Sequence, residues 1–260
     1  MPGTAADRWP AALWIVRHGE SAGNVARDAA EAAGLPMIDV EHRDVDVPLS
    51  PLGERQARAL GEWIGRLPES ERPTHTIASP YVRAVQTAEI VLAAAGCPVD
   101  SIDVEVDERL REREFGILDR LTKAGIEARH PEQAAARAFL GKFYHRPPGG
   151  ESWADVALRL RSLLDSVGRQ YAGERLLVVG HQVVVLVLRY LLERLSEQEL
   201  LAIDRAAEVA NCSLTTYAFD ASIGRQGGMR LETYNDVTPL EAVAPEVPVT
   251  KEPDAHVAPR

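Results

Sequence analysis

Four short segments carry side chains suited to phosphate chemistry. They are Arg17-His18-Gly19-Glu20, Ser79-Pro80 with Arg83 one helical turn on, Arg111-Glu112-Arg113, and Gly180-His181-Gln182. An imidazole can attack or carry a proton near neutral pH. Guanidinium forks match phosphate oxygens geometrically, and a carboxyl can pass a proton. Together the segments supply two imidazoles, at least two guanidiniums and a carboxylate. Taken singly, each has a plainer reading. A histidine after a strand is more often structural, Arg83 on a helix a solvated charge, and Glu112 between Arg111 and Arg113 a surface ion pair. What sets them apart is that all four fall at, or just beyond, the ends of expected strands. Ligands of parallel α/β sheets bind at the carboxyl ends of strands.

The elements that must position these residues are readable. Residues 13–16 form a compact apolar run, and 74–78, 101–106 and 176–179 read as further strands. Residues 214–219 and 229–234 read as late strands. Ser50-Pro51 is a cap followed by Pro at the first helical position, and Leu52, Leu60, Trp63, Ile64 and Leu67 mark one helical face. Ser79-Pro80 repeats that signal and predicts a helix through residue 94. Helices opening at Glu20 and Ser79 would add backbone donors for an anion. Ser152 with Asp155 fits a capping box, ahead of a helical spacing of Val156, Leu160, Leu163, Leu164 and Val167. Residues 183–192 are ambiguous: valines favour strand, while length and position favour a buried helix. Alternating strands and helices predict an α/β fold with a mostly parallel sheet covered on both faces.

Outside these elements, residues 1–11 read as a loose leader. Residues 117–149 read as an irregular lid or insertion. Residues 237–260 contain five prolines and predict an extended or disordered tail. The core is thus expected within residues 12–236, as a single domain.

Two other motifs lead nowhere. Gly19-Glu20-Ser21-Ala22-Gly23 matches the G-x-S-x-G nucleophile elbow, but only one strand precedes Ser21, so the oxyanion loop of that fold has no place upstream. The acidic run 39–46 lacks the glycine and terminal Glu of a calcium loop and reads as solvated.

Composition narrows the partners. With 39 acidic against 29 basic side chains, the net charge of -10 disfavours nucleic acid or an anionic membrane as the main partner. It leaves room for a small anion in a locally basic pocket. Cys97 and Cys212 stand alone and predict neither a disulfide framework nor a zinc site. Residues 1–10 lack an apolar signal core, and no apolar run could span a bilayer. The expected location is the cytoplasm.

Arg17-His18-Gly19-Glu20-Ser21 with Asn24 resembles the signature of the histidine phosphatase superfamily, also called phosphoglycerate mutase-like. Five further landmarks follow in order between residues 13 and 192: Pro48-Leu49-Ser50 with Gly53 and Gln56-Ala57; Ser79-Pro80 with Arg83 and Gln86-Thr87-Ala88; Leu110-Arg111-Glu112 with Phe115-Gly116; Gly149-Gly150-Glu151-Ser152; and Val179-Gly180-His181. The resemblance implies a three-layer α/β/α sandwich. It implies His18 as nucleophile, Arg17, Arg83 and His181 as holders of the phosphate oxygens, and Glu112 as proton donor. Asn24, Ser21, Gln182 and Arg111 are expected around the substrate. The implied reaction is hydrolysis of a small phosphorylated metabolite through a phosphohistidine, with no metal and no cofactor. A cofactor-dependent mutase and an inactive binding module are the alternatives. Intact His18, Arg17, Arg83, Glu112 and His181 speak against the second. Against the first, Glu151 follows Glu112 by only 39 positions, a shorter stretch than in the mutases it resembles, and Gln182 stands where mutases usually carry Gly. The substrate itself and the oligomeric state, a homodimer included, are left open.

Overall fold

The computed structural model describes residues 8–98 and 102–251. Its centre is a six-stranded sheet. The strands are β1 (Ala12–Arg17), β2 (His75–Ala78), β3 (Glu105–Val106), β4 (Arg175–Gly180), β5 (Leu214–Asp220) and β6 (Gly228–Asp236), in spatial order β3-β2-β4-β1-β5-β6. β3, β2, β4 and β1 pair parallel, and β5 and β6 add antiparallel. The sheet is therefore mostly parallel, as expected.

Period-two alternation makes it the middle of three layers. Leu13, Ile15, Leu176 and Val178 join one apolar core, with side chains of the helices α6 (Trp153–Gln170) and α7 (Gln182–Leu192). Val16, Leu177 and Val179 join the other, with the helices α2 (Pro51–Arg66) and α3 (Val82–Ala94). The ambiguous 183–192 segment is thus helix. Burial along nearly its whole length outweighs the weak helix preference of its valines.

The expected caps at Ser50 and Ser152 are present. Ser50 accepts the Gly53 N–H, and Ser152 with Asp155 closes a reciprocal capping box, a device worth about 1 kcal/mol. Ser79 is different. The third helix opens at Val82, and Tyr81 occupies its cap position without a side-chain bond. The Ser79 hydroxyl is turned elsewhere, as described below.

Four other expectations are corrected. The 117–149 stretch is not irregular: it holds α4 (Lys123–Arg129) and α5 (Pro131–Tyr144), and α5 packs on α6. The leader is tied down from residue 8 onward, with Trp9 against the core and the Ala11 N–H on the Glu174 carbonyl. The expected strand 101–106 is reduced to β3, and Ser101 lies outside the described residues. The proline-rich tail folds through residue 251. Pro239 sits in the first turn of α9 (Thr238–Val243), where a missing N–H costs nothing. Leu240 and Val247 are buried, so isolated apolar residues tie down a segment whose composition suggests disorder. Residues 252–260 of that tail, and 1–7 of the leader, lie outside the described residues.

Candidate active site

β1 and β4 are adjacent and in register, with Arg17 opposite Gly180. Their carboxyl ends therefore deliver His18 and His181 side by side, with ring centroids 5.1 Å apart. The loop after β1 is squeezed against the start of α2. A Cβ on Gly19 would come within 2.6 Å of the Gly53 carbonyl oxygen, and one on Gly53 within 2.0 Å of that of Glu20. Both positions need glycine for this approach.

His18 is buried, and its Nδ1 lies 2.7 Å from the Gly19 carbonyl oxygen. A carbonyl only accepts, so Nδ1 carries the proton and Nε2 keeps its lone pair. Arg83 donates from Nε to that Nε2 at 3.3 Å. Burial, then Arg83 and Arg17, hold the imidazole well below its usual pKa. Neutral His18 with a bare Nε2 is the form that can attack phosphorus.

His181 is fully buried. Its Nε2 lies 2.7 Å from the Ser79 hydroxyl. Ser79 also accepts the Tyr81 N–H at 3.3 Å; in the tautomer where the hydroxyl gives its own proton to Nε2, the imidazole proton stands on Nδ1. That Nδ1 is buried, has no hydrogen-bond partner, and lies 3.6 Å from Glu112 Oε2. Burial, followed by Arg83, pushes His181 well below its usual pKa. The Tyr81 ring packs edge-on against His181 at 4.9 Å and under the Arg83 guanidinium at 4.7 Å.

Glu112, on the loop beyond β3, faces His181 and lines the pocket with His18. Burial raises its pKa, and the Arg113 N–H, bonded at 2.8 Å, pulls the other way. A carboxyl so raised can hold a proton to give. Its loop is pinned by Glu151, which takes Arg111 at 2.7 Å, Arg159 at 3.0 Å and the Glu114 N–H at 3.2 Å.

Arg83 also donates from Nη1 to the Asp44 backbone carbonyl at 2.6 Å and pairs with the Asp44 carboxylate at 3.0 Å. Asp44 belongs to the acidic run that reads as a solvated loop. The structure corrects that reading: this one member lines the pocket on a short 3-10 turn, Asp44–Asp46.

Of the sequence-predicted residues, His18, Arg83, Glu112, Asn24, Ser21 and Gln182 line one pocket. Arg17 lies buried behind it, donating to the Val209 carbonyl and, at 3.2 Å, to Gln182. Ser21 and Asn24 close the capping box of α1 (Ala22–Ala32), so both have a structural task as well. Arg111 and His181 are not among the residues that line the pocket. His181 is buried beside His18, and the Arg111 guanidinium is bonded to Glu151, where it supports the Glu112 loop.

The rim comes from loops. Ile38, Val40, His42 and Val47 line it, with Phe115, Asp119 and Arg120 opposite. Arg120, at φ 60°, clamps the facing loop through the carbonyls of Val40 and His42, at 3.0 and 2.6 Å. Sequence reasoning passed over Ser79 as a binding partner, Tyr81 and Asp44. For Ser79 a signal existed, since it stands at a strand end like the two histidines. Among the described residues no cluster of three or more His, Cys, Asp or Glu side chains is placed to hold a metal ion.

This site and fold define a class. The family model of the histidine phosphatase superfamily (branch 1) matches residues 13–236, and the chain belongs to that family. Among curated relatives, the "Probable phosphoglycerate mutase GpmB" of Photorhabdus laumondii is 29% identical over 232 residues, covering 89% of this chain and 96% of that protein. A protein of the same name from Salmonella paratyphi C is 31% identical over 234 residues, with the same coverage. Among solved structures, Bacillus stearothermophilus YhfR has a TM-score of 0.68 at 26% identity, covering 88% of this chain and 99% of that one. A mycobacterial glucosyl-3-phosphoglycerate phosphatase with inorganic phosphate has a TM-score of 0.64 at 26% identity, covering 88% and 98%.

Proposed function

We propose that this protein is a phosphatase of small phosphomonoesters that works through a phosphohistidine on His18. The observation that carries the reading is the bare Nε2 of buried His18, which faces Arg83 in a pocket whose other wall holds a carboxyl with a raised pKa, that of Glu112.

In the first step Arg83 turns its Nε–H from Nε2 to a phosphate oxygen, and the freed lone pair attacks phosphorus as the ester P–O bond breaks. Glu112 gives its proton to the leaving oxygen. Arg83, Arg17 and the Nδ1–H of His181 offset charge on the equatorial oxygens, and such fixed donors cost no reorganisation during reaction. The Gly19 carbonyl supports the positive charge that the His18 ring gains. In the second step water attacks phosphorus and passes a proton to the Glu112 carboxylate. The P–N bond breaks, releasing inorganic phosphate and neutral His18. Splitting one difficult displacement into two is the gain of covalent catalysis, and neither step calls for a metal or a cofactor. Ser21, Asn24 and Gln182 are the groups available to the substrate beyond its phosphate. No helix among the described residues is long and apolar enough to cross a membrane, which suits a metabolite substrate in the cytoplasm.

A mutase is the second reading, favoured by the names of the curated relatives. The phosphatase named above, and the short stretch between Glu112 and Glu151, favour hydrolysis. One assay separates them. The protein is incubated with p-nitrophenyl phosphate and a panel of phosphorylated metabolites, with and without EDTA, and with 3-phosphoglycerate plus a trace of 2,3-bisphosphoglycerate. Release of inorganic phosphate insensitive to EDTA supports the phosphatase. Rapid formation of 2-phosphoglycerate with little phosphate released from any compound overturns it.

A further inference from the structure

Gly19 sits between two peptide units, and both are held at each end. In the first, the His18 carbonyl accepts from Asn211 Nδ2 at 2.9 Å, and the Gly19 N–H donates to the Thr87 hydroxyl at 3.1 Å. In the second, the Glu20 N–H donates to Gln56 Oε1 at 2.9 Å, and the Gly19 carbonyl takes the His18 Nδ1 proton at 2.7 Å. A peptide unit is planar. Fixing the Glu20 N–H therefore fixes where the Gly19 carbonyl points, and with it the ring and tautomer of His18.

The two amides that do this, Gln56 and Asn211, are buried. They meet at one atom. Gln56 Nε2 donates to the Thr250 hydroxyl at 2.9 Å, and that hydroxyl donates to Asn211 Oδ1 at 3.0 Å. Their backbone partners fix the directions. The oxygen of Gln56 is taken by an N–H, so its nitrogen must give to Thr250. The nitrogen of Asn211 is taken by a carbonyl, so its oxygen must receive. A hydroxyl gives and accepts at a single atom, which Val or Ala cannot do. The C-terminal strap, residues 246–251, is held to the same amides by its backbone, through the Pro248 carbonyl on Gln56 and the Thr250 carbonyl on the Asn211 N–H, at 2.9 and 3.0 Å.

We infer that Thr250 is a positioning residue for the nucleophile, locking through Gln56 and Asn211 the two peptides that aim His18. This rests on His18 being the attacking group. The C-terminal strap is then part of the active-site support.

The test uses the full-length chain as wild type, Thr250→Val and Thr250→Ser. Valine keeps the shape and removes the hydroxyl. Two readouts are taken: steady-state kinetics on p-nitrophenyl phosphate, and hydrogen–deuterium exchange of the peptide covering residues 17–22. The expected result for Thr250→Val is a kcat lower by about tenfold with KM within about twofold, since small misplacement of a reacting group is costly. Exchange at 17–22 is faster, exchange in β4 is unchanged, and Thr250→Ser restores both. Wild-type kcat and exchange in Thr250→Val would overturn the inference. So would an equal loss in Thr250→Ser, or a general loss of fold, because the role assigned is local. If the wild type hydrolyses nothing, the phosphatase reading fails, while the exchange comparison still decides whether Thr250 holds the loop.

Discussion

Arg83 Nε donates to His18 Nε2 at 3.3 Å, so the guanidinium marks the atom proposed to attack. Its charge, after burial, keeps that nitrogen unprotonated. An essential neutral histidine makes activity fall as pH drops through its pKa. For wild type that acidic limb lies below the usual histidine value. Arg83→Gln removes the charge, so the His18 pKa rises and the limb moves to higher pH. It also removes a donor to the transferring phosphate, and kcat should fall about 100- to 1000-fold. The pH profile of kcat/KM checks both.

Asp44 lies on the opposite side of the same balance. Its carboxylate pairs with Arg83 at 3.0 Å and adds to the raised pKa of Glu112, in which burial is the largest cause. Arg83 and Arg17 act on Glu112 in the reverse sense. A general acid must be protonated, so activity is lost as pH rises through its pKa. Asp44→Asn lowers that pKa, and the alkaline limb of kcat/KM should move to lower pH. A limb that stays fixed or moves upward would contradict the electrostatic role.

Glu112→Gln should slow hydrolysis of alkyl phosphates by about two to four powers of ten. Activated aryl phosphates should lose far less, because a good leaving group needs no proton. Equal losses on both would remove Glu112 as the acid.

Removal of residues 246–260 should cost stability. Val247 is buried, and the strap carries the hydrogen bonds to Gln56 and Asn211. Burying one such side chain contributes about 1.5–3 kcal/mol and each hydrogen bond about 1 kcal/mol. Thermal unfolding should show a Tm lower by several degrees. An unchanged Tm would mean that the strap does not pack in solution.

The His18 loop and the second histidine were legible because each is a local pattern: an apolar strand, a reactive residue, then a cap or loop. Those signals lie within a few positions of one another. The contact between Ser79 and His181 spans 102 positions and leaves no local trace. Ser79-Pro80 looks like a cap, but the helix begins later. Asp44 was hidden because the loop before Val47 has no periodicity to say which of its acids turns inward. Arg111 misled in the opposite sense: its neighbour Glu112 faces the pocket, while its own guanidinium reaches back to Glu151. The strap was missed because proline content says nothing about a single Leu240 or Val247 finding a place in the core.

The proposed reaction turns on a covalent bond between phosphorus and His18 Nε2. Substrate labelled in its phosphate, mixed with excess protein and quenched within one turnover, tests this directly. The expected result is label on the protein that is released by acid, resists alkali, maps to the peptide containing His18, and is absent from His18→Ala. Label that survives in His18→Ala, or turnover with no labelled protein at any quench time, would contradict it.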